Sequence, residues 1–254
     1  MKNDNLTENP DGSKSRIGSI EMTNKANRYN DSTKDDYNII AELYTEDFSD
    51  YIPLDTFLIE AIELLKERQL LDKESVSLGA GPGNDTQFLL DHGVKKIICI
   101  DFAENFTNYM TEKFNGVEGV EIVCEDVSQF LPKLKNSSIA LYVDSFCSNH
   151  LSSDALSDVI ADIARTLVKG GLFTTVFFEG DYEGMEDEPY QVENDSRLKV
   201  KEKLEFYINY FSAESLEKLA RTHGLSLIRM DRMDPSGNPG EPTKPSARML
   251  FEKK

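Results

Sequence analysis

Three glycines within five residues, Gly79, Gly81 and Gly83, lie in the segment Ser75-Val-Ser-Leu-Gly-Ala-Gly-Pro-Gly-Asn-Asp-Thr-Gln. Glycine permits a tight turn and lets backbone N–H groups approach a ligand closely. Apolar residues lead into the loop as a strand, and a helix is expected just after it. A plain turn would also use glycine, so the loop gains meaning from its company. Asp101 ends the next apolar run, in Ile98-Cys-Ile-Asp-Phe. A carboxylate about 20 residues past the glycines is placed to take both hydroxyls of an adenosine ribose, and it can cap the next helix as well. Asp126 follows the third run, where it could accept from the exocyclic amine of adenine; Glu125 competes for that role. Asp144 ends the fourth run. All sit at carboxyl ends of consecutive strands, where open α/β sheets bind ligands.

The elements that position these residues are legible as alternation. Apolar runs at Val76–Leu78, Ile97–Ile100, Val120–Val123, Ile139–Val143 and Leu172–Phe178 are separated by helix-like segments. Solid apolar strands between helices predict a parallel sheet covered on both faces. Phe57, Ile59, Ile62, Leu65 and Leu70 mark a helix after Pro53. Leu156, Val159, Ile160, Ile163 and Leu167 mark another, with Ser152 or Ser153 as cap and Gly170–Gly171 as stop. Ser212 should cap a helix ended by Gly224. Leu225–Met230 and Met249–Glu252 then read as an antiparallel pair of strands, because no helix intervenes. Gln129 to Asn136 reads as a weak helix or loop.

The 254 residues suit one α/β domain with extensions, residues 1–36 reading as a flexible polar tail and 37–254 as the domain. The net charge of −18 repels phosphate backbones and anionic membranes, so neither is the expected partner. Cys99, Cys124 and Cys147 are odd in number and widely spaced. They read as buried reduced thiols in a cytoplasmic protein, with no metal site.

Three adenosine cofactors compete for the loop. The position of the third glycine in the NAD fingerprint holds Asn84, and the Walker lysine is missing. Asp85 follows the loop, and no Lys or Arg returns until Lys95. A cationic sulfonium tolerates this acidity better than a pyrophosphate does. The chain resembles the class I S-adenosylmethionine (SAM)-dependent methyltransferases of the small-molecule type. Leu78-Gly-Ala-Gly-Pro-Gly is similar to the family's first motif, with Ala80 for the usual Cys. Ile100-Asp101-Phe102 resembles the ribose motif and Glu125-Asp126-Val127 the adenine motif. Leu167-Val-Lys-Gly-Gly-Leu-Phe resembles the stretch before strand five. The acid usual on strand one is replaced by Ser75 or Ser77.

The resemblance implies an α/β, Rossmann-like, seven-stranded and mostly parallel sheet with an antiparallel C-terminal strand and helices on both faces. It implies SAM bound by Gly79, Ala80, Gly81, Gly83, Asp101, Phe102, Asp126, Val127 and Asp144. It also implies methyl transfer to a small-molecule acceptor. A non-catalytic SAM-binding protein and an NAD-dependent oxidoreductase are the alternatives. On the acceptor side, His150 is the one histidine near a strand tip on the ligand face, and an imidazole titrating at about 6.5 can take a proton at neutral pH. Tyr37, Glu179 and Tyr182 are substrate-side candidates. Tyr29 and Tyr44 could also close over the cofactor, although Tyr44 reads better as core. The acidic insert from Glu179 to Asp195 reads as a solvated loop, or as a lid drawing in a cationic acceptor.

Overall fold

The computed structural model describes residues 37, 38, 41, 54–180, 186–192, 204–234 and 244–254, with 186–192 and 204–208 described through their backbone. Helix α1 (Asp55–Glu67) buries Phe57, Leu58, Ala61, Ile62 and Leu65 along one stripe. Ile59, expected on that stripe, lies off it and is 41% exposed. Strand β1 (Glu74–Leu78) leads through the glycine loop into α2 (Asn84–Asp91). Next come β2 (Ile97–Asp101), α3 (Glu104–Lys113), β3 (Val120–Cys124) and the short α4 (Val127–Phe130), followed by a 3₁₀ turn at Leu131–Lys133. Strand β4 (Ile139–Ser145) ends in a 3₁₀ turn at Cys147–His150, and α5 (Ser153–Thr166) and β5 (Leu167–Phe178) complete the alternation.

After the insert come α6 (Ala213–Thr222), β8 (Leu225–Met233) and β9 (Ser246–Lys253). As expected, Ser152 caps α5, accepting from Ala155 N, and Ser212 caps α6, accepting from Ser215 N. Gly224, at φ +85°, follows α6. One boundary differs. Helix α5 stops at Thr166, and the strand already runs from Leu167, so Gly170 and Gly171 lie inside β5. Gly170 is left-handed at φ +76°. A Cβ on Gly171 would lie 2.9 Å from Val168 O and 3.1 Å from Ala140 O. The pair makes a register shift against β4 instead of a helix stop.

Seven strands form one sheet in the order β3-β2-β1-β4-β5-β9-β8. The pairs among β1 to β5 are parallel. β9 is antiparallel to both β5 and β8, so β9 alone is reversed. Successive residues of a strand face opposite sides. Val76, Ile98, Ile100, Phe173 and Phe177 join α5 and α6 in one core. Ile97, Cys99, Leu172 and Val176 join α1, α2 and α3 in the other. Helices therefore cover both faces.

Two features of the sequence reading need correction. Cys124 is exposed, because β3 is the edge strand, and Cys147 is only half-buried; all three cysteines are free. The acidic insert is more than a loop: β6 (Glu186–Val192) and β7 (Leu204–Tyr210) pair as an antiparallel hairpin. At its end Tyr210 and Phe211 are buried. Among the described residues no helix is long and apolar enough to cross a membrane.

Candidate cofactor and methyl-transfer site

The glycine loop is held by its neighbours before any ligand is considered. Ala80 N donates to Ile100 O at 2.9 Å, and Gly83 N donates to Ala80 O at 2.9 Å. Gly79, Gly81 and Gly83 all have left-handed backbone, at φ +54°, +52° and +77°. A Cβ at Gly83 would strike the Phe114 ring at 2.6 Å, and one at Gly79 would meet Cys147 Cβ at 2.9 Å. At Gly81 nothing comes nearer than 4.0 Å. Gly79 and Gly83 are thus demanded by packing, whereas Gly81 opens onto space that a ligand can approach.

Asp101 is 4% exposed. Its Oδ2 accepts from Gly81 N at 2.8 Å and its Oδ1 from Ala103 N at 2.9 Å. Burial pushes its carboxyl up to about 6, against the downward pull of the amides of Ala103, Gly81 and Phe102. Asp126 caps α4, its Oδ1 accepting from Ser128 N at 2.8 Å and Ser128 Oγ at 2.6 Å. Glu125 is ion-paired with Lys133, and Val127 is buried. Asp144 is 2% exposed; its oxygens accept from Ser148 N at 3.2 Å and Thr175 Oγ1 at 2.9 Å. Burial raises it to about 6, and it holds the turn after β4 to β5.

That turn carries His150. Phe146 starts it in a left-handed conformation, φ +67°, which is strained for a bulky side chain. Asn149, fully buried, donates to Asn209 O at 2.7 Å and accepts from Phe178 N at 2.9 Å. Asn209 Nδ2 donates to Leu151 O at 2.9 Å. His150 Nε2 and Tyr37 Oη share a hydrogen bond of 2.6 Å. The Tyr37 ring also meets Phe102 edge-on at 5.7 Å. Asn38 reaches the same place: its Oδ1 accepts from Asn105 N at 3.0 Å in the first turn of α3, whose own N-cap residue, Ala103, has no capping side chain. Tyr37, Phe102 and His150 are therefore brought together.

Glu179 is engaged elsewhere. Its carboxylate accepts from Arg232 at 2.9 to 3.1 Å and from Ala213 N at 3.1 Å, which ties β5 to β8 and to the start of α6. Tyr182, Tyr29 and Tyr44 lie outside the described residues. His92 and His223 close α2 and α6 on the exposed surface. The sequence reading missed Asp85, whose carboxylate is 9% exposed and accepts from Ser145 Oγ at 2.6 Å. It also missed Asn149 and Asn38, for which no local pattern exists.

The family profile for a methyltransferase domain matches residues 76–171, which span β1 to the start of β5 and contain every strand-tip acid named above. Residues 76–171 are thus similar to methyltransferase domains. Solved structures agree in fold. A SAM-dependent methyltransferase from Clostridium acetobutylicum is 17% identical, with a TM-score of 0.61 over 85% of this chain and 98% of that one. The Burkholderia thailandensis 1,6-didemethyltoxoflavin-N1-methyltransferase, with bound 1,6-didemethyltoxoflavin and S-adenosylhomocysteine, is 18% identical, with a TM-score of 0.57 over 98% and 93%. The [4+2]-cyclase SpnF is 12% identical, with a TM-score of 0.60 over 87% and 94%. No curated protein sequence matches the chain significantly.

SAM suits this strand-tip site on its own geometry. The open approach at Gly81 admits a ligand to the loop, and one oxygen of the buried Asp85 lacks a partner among the described residues. Asp85, Asp101 and Asp144 form a buried acidic set that a cation would neutralise.

Proposed function

We propose that this methyltransferase domain, taken as residues 37–254, moves the methyl group of SAM to a small-molecule acceptor, with Tyr37 and His150 on the acceptor side. The cofactor contacts in this reading are the loop from Gly79 to Gly83, Asp101 with Phe102, and Asp126 with Val127. Asp144 acts through the turn it holds. The observation that carries the acceptor side is the Tyr37–His150 hydrogen bond beside Phe102. Bound SAM would supply an electrophilic methyl on a sulfonium whose leaving group is a neutral thioether. Orientation of the acceptor then supplies much of the rate. The Tyr37–His150 pair removes a proton where the acceptor has one to lose: Tyr37 Oη takes it and passes its own hydrogen to His150 Nε2.

A small acceptor is supported by the bound ligand of the Burkholderia neighbour and by a net charge that disfavours nucleic acid. Cytoplasmic residence belongs to the same reading, supported by three free cysteines. The test is production of S-adenosylhomocysteine when the purified chain, SAM and a pool of small metabolites are combined. Thermal stabilisation by SAM without turnover of any acceptor would instead make the chain a SAM-binding protein that does not methylate.

A further inference from the structure

We propose that Asp85 is the carboxylate that receives the positively charged amino group at the amino-acid end of SAM. This rests on the SAM reading above. Open sheets bind ligands where the strand order reverses, and here that point lies between β1 and β4. Asp85 stands at this junction. It belongs to the first turn of α2, directly after the glycine loop, and Ser145 at the end of β4 donates to its Oδ2. The carboxylate thus joins the two halves of the sheet at the crevice.

Its surroundings leave it incomplete. Asp85 is 9% exposed, and its Oδ1 has no hydrogen-bond partner among the described residues. Buried carboxylate oxygens are normally served by a donor. No Lys or Arg among the described residues bonds to it. Burial pushes the group up to about 6 against the Ser145 hydrogen bond, so at pH 7 it is still mostly ionised. An ammonium group, with three donors and a positive charge, supplies what Oδ1 lacks; a carboxylate would be repelled.

The sheet order gives the direction. Asp126 follows β3, Asp101 ends β2, the loop follows β1, and Asp85 reaches β4. Adenine, ribose and amino-acid tail fall along that sequence. On β1 itself Ser75 and Ser77 are 2% and 1% exposed and neutral, so the negative charge on the tail side comes from Asp85.

The experiment is calorimetric titration of wild type and Asp85→Asn with S-adenosylhomocysteine and with 5′-methylthioadenosine, which has the same nucleoside but no amino-acid tail. Asn is nearly isosteric and can still accept from Ser145. Asp85→Asn should lose about tenfold to a hundredfold in affinity for S-adenosylhomocysteine, the scale of one hydrogen bond to a charged group, and keep its affinity for methylthioadenosine. Equal losses for both ligands, or none for either, overturn the assignment. If Asp85→Asn does not fold, Ser145→Ala carries the same test: a tail-selective loss supports the role, and a uniform loss or none overturns it. Failure of wild type to bind either ligand would instead overturn the SAM reading itself.

Discussion

Asp101 has two jobs, one in the fold and one proposed for the ligand. In the SAM reading its carboxylate serves the ribose, while the fold already uses it to hold Gly81 N and Ala103 N. Asp101→Asn keeps one acceptor for Ala103 but turns an amide toward Gly81 N, donor against donor. SAM affinity should fall about tenfold to a hundredfold, and calorimetry showing unchanged affinity would remove Asp101 from the cofactor site. Gly81→Ala asks a different question, because it meets open space and left-handed strain but no neighbour. It should fold with a cost of roughly 1 kcal/mol while losing SAM. Gly83→Ala, driven into the Phe114 ring, should lower the melting temperature outright. On the acceptor side, His150→Gln should keep SAM affinity and lower kcat roughly 10²-fold, a loss that shrinks at high pH where the acceptor ionises unaided. Tyr37→Phe should follow the same pattern. Near-normal kcat in both variants across pH would reduce the pair to packing.

Elements set where these residues stand, and the turn after β4 depends on Asn149. It bridges that turn to β5 and β7 through buried bonds. Asn149→Ala would remove the donor to Asn209 O and the acceptor for Phe178 N, each such buried bond worth about 1–3 kcal/mol. Lowered denaturation midpoints together with lowered kcat are expected; a change in stability alone would show that the turn does not position His150. The strands of the sheet were legible because buried parallel strands are apolar runs, as in β2, β4 and β5, and the half-exposed edge strand β3 still carries enough apolar residues to show. Caps at Ser152 and Ser212 were legible because their chemistry is local. The glycine pair in β5 misled, because glycine serves a helix stop and a strand irregularity equally well. The β6–β7 hairpin was hidden by its acidic composition, which is poor in strand formers. Asn38 capping α3, 67 positions away, has no local signature at all. Asp85 was visible only as a charge; its burial comes from α2 docking against the tip of β4.

Across the whole molecule, three buried carboxylates give pH two opposing effects. Asp85, Asp101 and Asp144 stand at about 6 in the folded chain, above the ordinary carboxylate value of about 4. The folded state therefore binds more protons than the unfolded state between these values. Their stabilising contribution is fully present below about pH 4 and is lost as pH rises through 6. Raising one such carboxyl from about 4 to about 6 corresponds to roughly 3 kcal/mol as an upper figure. Relief of the −18 net charge acts in the same direction. The ligand-free chain should melt higher at pH 5.5 than at pH 7.5. The added stabilisation from SAM, a cation needing ionised partners, should shrink over the same interval. Calorimetric scans with and without SAM check both slopes, and parallel slopes would contradict the acidic site.

The edge position of β3 has a practical chemical consequence. Of the three thiols Cys124 is the exposed one, Cys147 being half-buried and Cys99 buried, and it pairs in register with Asp101 on β2. Cys99 is buried and raised to about 11, and Cys147, crowded by burial and by Asp144, Asp101 and Asp126, is raised well above the ordinary thiol. Thiolate is the reactive form. A maleimide at neutral pH should therefore label the native chain once, at Cys124, and the denatured chain at all three cysteines. A dye placed there sits one strand from Asp101, so its emission can report occupancy of the crevice without any acceptor being known.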